Sequence, residues 1–402
     1  MLDRMQLGDV ARKHHTQLRG PEGVLRYEEC FTRDGFDGPY TILYHLRRPH
    51  THRVAKPAHG WIAPLASADR ALAKRHYKTS EIVPYSGPQA GPQIDVRVPL
   101  LFNDDLIAGV AFPSAEDPVY IADGDADQLI YIQRGGGVLR SVLGDVAFTK
   151  GDYVFVPRGL LHRFIPSGTS GTSGTSGTSG ASGAQHWFWF SLTGGLHIPS
   201  QWRNAVGQLR MDAPYSHRDF KRPELFAPRD EGIRALVVRR AGIWHGFTLE
   251  DSPLDAVGWD GTVYPWAFPI LAFQPRVSSV HLPPTWHGTF AAKGALICSF
   301  VPRPLDFHPE AIPCPYPHSS THCDEIIFYS DGQFTSRRGV GPGSISHHPM
   351  GVPHGPHPGN YEASIGATAT TELAVMADVF APLHATPAAL AVEDPGYQDS
   401  FI

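Results

Sequence analysis

The feature that most constrains the fold is a spaced pattern of glycine, proline and histidine that occurs twice in the 402 residues. Written G-x5-P-x-G-x2-H, it spans residues 151–162 and again residues 343–354. A glycine can turn the chain into a strand, five residues can cross a barrel wall, and proline followed by glycine makes a tight corner. The pattern therefore predicts two barrel units, each with an inward-pointing histidine at its end, His162 and His354.

Composition supports a mainly β fold. The chain has 41 glycines and 37 prolines, which favour turns over the interiors of helices and strands. Its length allows two β-rich domains, each with a sizeable core. We expect an N-terminal β domain over residues 1–255 and a C-terminal domain over residues 256–402, with a few short helices.

Charge and cysteine content exclude several classes of protein. The formal net charge of −5 and the isoelectric point near 6.5 show no basic excess, so nucleic acid is not expected as a partner. The first residues contain no apolar signal region, and eighteen consecutive apolar residues occur nowhere. The four cysteines show no CxxC spacing and are interpreted as reduced thiols. We therefore expect a cytoplasmic protein without a membrane partner.

Two segments allow less specific predictions of local structure. Residues 167–183 are a run of serine, glycine and threonine with a single alanine, which predicts a flexible loop tip between two strands. The alanine-rich spacing of residues 62–77 predicts one helix, and a second short helix is expected near residues 387–390.

Histidines concentrate around the second copy of the pattern, which is typical of metal ligands or proton carriers. The repeated pattern resembles the second motif of the cupin superfamily, whose first motif supplies histidines and a glutamate seven residues before a turn glycine. Glu325 stands seven residues before Gly332, and His318 stands where that motif has its first histidine. His322 is a rival, but the cupin spacing favours His318.

The two copies differ in their partners. Upstream of the first copy, the glutamate position holds Gln128, and residues 121–123 contain no histidine. We therefore predict a degenerate first barrel in which His162 only packs, and a second barrel with two histidines and a carboxylate. Two histidines and one carboxylate leave three adjacent positions of an octahedral ion open, which is typical of non-haem Fe(II) oxygenases. Zinc and manganese remain alternatives on the ligand set alone.

Several stretches of the chain together resemble those of one known family. They are residues 257–261, 315–318, 324–325 and 348–357, together with 13–17 and 40–45 near the N-terminus. On these stretches the chain resembles homogentisate 1,2-dioxygenase of the bacterial type. The likeness covers most of the chain, with the Ser-Gly-Thr run as an insertion.

The resemblance implies a set of roles. His318, Glu325 and His354 would be the Fe(II) ligands, and His281, in an H-x2-P context, or its rival His287 would accept a proton. His348 and His354 would lie against the substrate. Phe334 stands where the family has a substrate-contacting tyrosine.

By the same resemblance, the chain would convert homogentisate and O2 to maleylacetoacetate in tyrosine and phenylalanine catabolism, as a closed homo-oligomer. Phe334 leaves open a related substrate such as gentisate, because the family's hydroxyl is missing there. A non-catalytic bicupin binding protein and a zinc or manganese isomerase are the more distant alternatives.

Overall fold

The computed structural model describes residues 2–69, 71–82, 90–168, 184–320, 322–334 and 336–402. In these residues strands predominate, and each α-helix has four residues. The strands of the first part are β1 (Met5–Gly8), β2 (Tyr27–Thr32), β3 (Tyr40–His45), β4 (His52–Ala55), β5 (Arg75–Lys78), β6 (Arg97–Phe102), β7 (Leu106–Ala111), β8 (Tyr120–Asp123), β9 (Asp127–Arg134), β10 (Gly136–Ser141), β11 (Gly144–Thr149), β12 (Asp152–Val156), β13 (His162–Pro166), β14 (His186–Leu192) and β15 (Gly194–His197).

The strands continue to the end of the chain. They are β16 (Ala235–Arg240), β17 (Ile243–Leu249), β18 (Ala256–Gly261), β19 (Trp266–Pro269), β20 (Gly288–Lys293), β21 (Ala295–Phe300), β22 (Arg303–Pro304), β23 (Asp324–Asp331), β24 (Ser344–His348), β25 (Ala369–Thr370), β26 (Leu373–Val379) and β27 (His384–Ala385). The α-helices are α1 (Gln93–Val96), α2 (Asn360–Ala363) and α3 (Pro387–Leu390), and 3-10 turns cover Thr79–Glu81, Ser200–Trp202, His217–Asp219, Ile270–Ala272, Pro284–His287 and Asp399–Phe401.

Two seven-stranded sheets form the first barrel. Their strand orders are β11-β10-β13-β8-β16-β17-β4 and β19-β12-β9-β14-β7-β6-β27. Phe148 and Phe164 of the first sheet contact Trp187 of the second, with ring centroids 5.6 and 5.2 Å apart. The two sheets therefore face each other across an aromatic core.

The second barrel is built on one seven-stranded sheet, β15-β20-β21-β26-β23-β24-β5. A cavity separates this sheet from the short pair β22–β25 and from the extended segments that carry His318 and His354. Those two histidines pair through their backbones as an isolated bridge, with N–O distances of 2.8 and 2.9 Å.

Alternation along β23 divides its side chains between two environments. Ile326 and Phe328 point to the shared core, where Phe328 stacks on Phe188 of the first barrel at 4.6 Å. Glu325 and Ile327 point the other way and line the cavity. Because successive residues of a strand face opposite sides, packing the two barrels together turns Glu325 into the cavity.

Several strands cross the expected division at residue 255. Strands β5 and β15 lie in the sheet of the second barrel, whereas β19 and β27 belong to the first. A four-stranded sheet, β1-β18-β3-β2, also joins strands from both sides. The boundary stays a prediction, and the barrels exchange strands across it.

The predicted fold class is confirmed: the protein is a mainly β, two-domain cupin with short helices. The short helix near residue 387 is confirmed by α3. The helix predicted within residues 62–77 is wrong for the residues described there, because Arg75–Lys78 pairs with β24 and buries Tyr77. The loop prediction for residues 167–183 lies almost wholly outside the described residues. In the described part of the chain, each helix is too short or too polar to cross a membrane.

Candidate metal centre

Three side chains selected from the sequence lie together in the second barrel. One ligand atom from each of His318, Glu325 and His354 lies within 4.8 Å of the others. Nε2 of His318 is 4.0 Å from Glu325 Oε2, and Nε2 of His354 is 3.8 Å from Glu325 Oε1. Among the described residues, this is the group of histidine, cysteine and acidic side chains whose spacing could hold a metal ion.

Local backbone geometry aims both histidines at the same point. Gly343 and Gly351 have φ values of +84° and +82°, a region that favours glycine, and they turn the chain into and out of β24. Nδ1 of His318 donates to the Tyr316 carbonyl, and Nδ1 of His354 donates to the Val352 carbonyl, both at 3.2 Å. With the proton on Nδ1, each Nε2 keeps a lone pair for a metal.

The donor set fits a divalent first-row metal. His354 Nε2 is buried without a hydrogen-bond partner among the described residues, as expected of an atom whose partner is an ion. Burial alone would raise the pKa of Glu325, but the hydrogen bond from His348 and the nearby imidazole of His354 hold the pKa of that carboxyl well below its usual range. Glu325 is therefore an ionised candidate ligand beside two imidazoles.

Glu325 is held in place by a chain of hydrogen bonds. His348 Nδ1 donates to Glu325 Oε1 at 2.7 Å, and the Tyr397 hydroxyl donates to His348 Nε2 at 3.1 Å. His348 is fully buried and does not line the cavity, so its contact is with the carboxylate. Its predicted contact with substrate stays a prediction.

The cavity beside the three candidate ligands has a volume of about 90 Å³. Its walls are largely apolar, and Phe334, at the position of the family's tyrosine, packs edge-on against Tyr329 at 4.6 Å. His281 and His287 also line it. The cavity walls further include Phe300, Arg303, Ile327, Arg337, Glu372 and Met376.

The two candidate proton acceptors have different surroundings. Burial, followed by the charge of Arg303, lowers the pKa of His287 to about 3. Burial also lowers the pKa of His281, but its Nδ1 lies 3.7 Å from Asp306 Oδ2, and that carboxylate opposes the shift. His281 is therefore better able to hold a proton.

Three further histidines near the second motif lie outside the trio of candidate ligands. His322 is exposed and is not part of the group. His347 faces away from Glu325 and hydrogen-bonds Asp324 at 2.9 Å, and His357 hydrogen-bonds Ser400 at 2.7 Å.

Residues distant in sequence also reach the site, and sequence reasoning missed them. Tyr397 completes the chain of hydrogen bonds to Glu325. Asp378 pairs with Glu325 across β23 and β26, and burial, followed by the charge of Glu325, raises the pKa of Asp378 to about 7. Neither lies in a recognisable motif, and strand register alone brings them in.

No protein-family model matches the chain. A protein from Saccharolobus solfataricus described as a "putative dioxygenase" is 32% identical over 403 residues, which cover 98% of this chain and 97% of that protein. Homogentisate 1,2-dioxygenase from Rhizobium etli CFN 42 is 27% identical over 267 residues, covering 64% of this chain and 52% of that enzyme.

Solved structures give weaker matches. The Ylba protein of E. coli is 11% identical, covers 78% of this chain and 94% of its own, and has a TM-score of 0.32. A Bacillus subtilis oxalate decarboxylase mutant is 10% identical, with 79% and 80% coverage and a TM-score of 0.33. These scores are low, and the fold rests on the strand pairing described above. The relationship to the Saccharolobus protein spans nearly the whole of both chains, and on that ground this two-domain cupin belongs to the same dioxygenase family.

Proposed function

We propose that the protein is a non-haem Fe(II) dioxygenase that opens the ring of a hydroquinone-type substrate, with homogentisate as the first candidate and maleylacetoacetate as its product. The observation that carries the proposal is the grouping of two imidazoles and one carboxylate beside an apolar cavity. This ligand set is typical of iron oxygenases. The partial likeness to homogentisate 1,2-dioxygenase supports the substrate.

In this proposal Nε2 of His318, Nε2 of His354 and the Glu325 carboxylate hold the iron. The iron would supply O2 activation and a binding position for a phenolic oxygen. The protein would supply the geometry: the backbone pair between the two histidines and the His348–Glu325 hydrogen bond fix the three ligands before any substrate enters.

We assign the acceptance of the phenolic proton to His281. Its Nδ1 faces Asp306, which supports a positive charge on the ring, and the side chain lines the cavity. The low pKa of His287 makes it the weaker acceptor, so its contribution would be to shape the wall. The aromatic and aliphatic walls, Phe300, Ile327, Phe334 and Met376, would exclude water from the ring.

Phe334 favours a second candidate of the same class, a gentisate-like substrate. The family's tyrosine would place a hydroxyl at this point of the wall, and phenylalanine cannot donate a hydrogen bond. The two candidate substrates differ in a substituent on the ring, and the metal chemistry proposed for them is the same.

The test is O2 uptake by protein reconstituted anaerobically with Fe(II), using homogentisate, gentisate and unsubstituted hydroquinone. We expect homogentisate to be consumed with one O2 per ring. Turnover of gentisate alone would move the assignment to the second candidate. If no hydroquinone supports uptake, the protein is a binding bicupin, and enrichment of zinc or manganese over iron in the purified protein would point to an isomerase.

A further inference from the structure

Two arginines line the cavity, and they differ in how their charges are balanced. Arg303 Nη2 lies 2.7 Å from Glu372 Oε1, a close ion pair between side chains that are both mostly buried. Arg337 has no such partner: its nearest carboxylate oxygen is Glu325 Oε1, at 3.8 Å from Nη2. One of the two cations therefore has a close carboxylate partner, and the other has only a distant one.

The guanidinium of Arg337, which lacks a close carboxylate partner, is deeply buried. Only 5% of the Arg337 side chain is exposed, so its charge has lost most of its hydration. Its two backbone hydrogen bonds both use Nη1, which donates to the Gly355 and Ser336 carbonyls, and the Tyr329 hydroxyl lies close enough to help raise the pKa of Arg337. Nε is buried without a partner, and Nη2 makes no hydrogen bond among the described residues. The Nε–Nη2 edge therefore has donors to spare.

Glu325 is the nearest anion and its charge helps to raise the pKa of Arg337, but at 3.8 Å it makes no hydrogen bond to the guanidinium. Its carboxylate already accepts from His348 and lies between the two candidate ligand histidines, and in the proposed function it holds the metal. An arginine cannot release its proton at physiological pH, so an anion is the group that would compensate it. Arginine recognises carboxylates through two parallel N–H groups, and the Nε–Nη2 edge supplies such a pair.

We propose that Arg337 is a specificity-determining residue that binds a carboxylate on the substrate. The proposal rests on the proposed function and narrows the substrate to dihydroxy-aromatic acids. Nη2 lies 3.8 Å from an oxygen of the candidate metal-site carboxylate, so an acid group on the ring, or one methylene away from it, would be within reach of Arg337 while the ring lies beside the metal site. Arg337 lies three residues after Phe334 and lines the same cavity, so it would supply the polar contact that phenylalanine cannot.

Ligand binding to metal-free protein tests this without any turnover. The probes are 2,5-dihydroxyphenylacetate and its uncharged amide, which has nearly the same shape, with affinities measured by isothermal titration calorimetry. We expect the wild type to prefer the acid by roughly 10- to 100-fold, since hydrogen bonds to charged groups have about that effect. Arg337→Met should remove the preference and leave affinity for the amide nearly unchanged, and Arg337→Lys should restore part of it.

Arg303→Met is the matched comparison, because it removes the paired cation from the same cavity. It should keep the preference for the acid even if both ligands bind more weakly. An unchanged preference in Arg337→Met, or equal binding of acid and amide by the wild type, overturns the proposal. If Arg337→Met does not fold, the wild-type comparison and Arg337→Lys still decide.

Activity separates this inference from the proposed function. Loss of Arg337 should raise KM for the acid more than it lowers kcat. O2 uptake that is equally efficient with neutral hydroquinone and with the acid would reject the role of Arg337 and leave the dioxygenase intact. An Arg337-dependent preference in binding, without O2 uptake on any substrate, would reject the proposed reaction and retain the carboxylate site.

Discussion

The first and second barrels orient their motif histidines in the same way but surround them differently. Nδ1 of His162 donates to the Leu160 carbonyl at 2.8 Å, as Nδ1 of His354 does to Val352 at 3.2 Å. The repeated sequence thus sets one local conformation twice. Beside His354 stand a second imidazole and Glu325, whereas the glutamate position of the first barrel holds Gln128.

The positive charges in the interior of the first barrel belong to arginine side chains. Arg97 Nη1 donates to Gln128 Oε1 at 2.7 Å, while Gln128 Nε2 donates to Asp123 at 2.6 Å, and Arg239 also contacts Asp123 at 3.1 Å. Burial, aided by the charge of Arg97, lowers the pKa of His162 to about 4. The motif therefore fixes the backbone, and residues on neighbouring strands decide whether the interior packs or can bind a metal.

The sharpest test of this contrast replaces the equivalent histidine in each barrel. His354→Ala should abolish stoichiometric metal binding and O2 uptake, because it removes one candidate ligand from the trio. His162→Ala should keep both and lower the free energy of unfolding by about 2 kcal/mol through the space it leaves in a packed interior. Metal analysis, O2 uptake and urea unfolding measure these effects. Metal loss in His162→Ala but not in His354→Ala would reverse the assignment of the barrels.

A smaller effect is expected from the residue that orients Glu325 through His348. Tyr397→Phe removes the hydroxyl that donates to His348 Nε2 and should weaken metal affinity about 10- to 100-fold. Tyr131→Phe is the control, since it removes a buried hydroxyl bonded to Ser330 between the barrels. Competition with a chelator measures both affinities. Equal losses in the two variants would mean that general packing, and not the hydrogen bond to His348, supports the site.

Local sequence patterns predict much of the fold and identify the candidate ligands. The glycines of each motif required turns that any chain with this spacing would make, and Gly343 and Gly351 make them. Spacing also separated His318 from His322, and the structure brings His318, Glu325 and His354 together. Their role as ligands stays a prediction.

The other residues of the site are brought in by segments that are distant in sequence, and no local sequence pattern predicts their positions. Asp378 faces Glu325 because β26 pairs with β23 in one register, and a shift of one residue would turn it to the other side. Arg337 and Tyr397 reach the site from a loop and from the end of the chain. The alanine-rich stretch before Tyr77 predicts a helix by its composition, whereas the strand that forms there depends on pairing with β24, which is distant in sequence.

Stability should also depend on pH through the four-stranded sheet β1-β18-β3-β2. His45 of β3 lies 2.7 Å from Asp255 and 3.0 Å from Glu29. Burial alone would lower the pKa of His45, but the two carboxylates raise it to about 9. The folded value exceeds the unfolded value near 6.5, so this stabilisation is complete below pH 6.5 and is lost as pH rises through 9.

The size of that contribution is on the order of 2 kcal/mol, because Glu29 is partly exposed and solvent screens its charge. His45→Gln should flatten the decline in the free energy of unfolding between pH 6.5 and 9, measured by urea titration at several pH values. Metal-free protein should keep the decline, since His45 lies outside the second barrel. Identical pH profiles for wild type and variant would show that His45 does not contribute to the decline.

The smallest expected effect comes from returning the cupin glutamate to the first barrel. Gln128→Glu places a carboxylate 2.7 Å from the Arg97 guanidinium, which would take it as an ion pair before any cation could. No histidine stands at residues 121–123 to complete a ligand set. Metal content should therefore stay unchanged in Gln128→Glu, whereas the reverse substitution Glu325→Gln should remove the metal from the second barrel. A second equivalent of bound metal in Gln128→Glu would show that the residue at this one position decides whether the first barrel binds metal. Arg97 and the neighbouring strands would then not be what keeps metal out of that barrel.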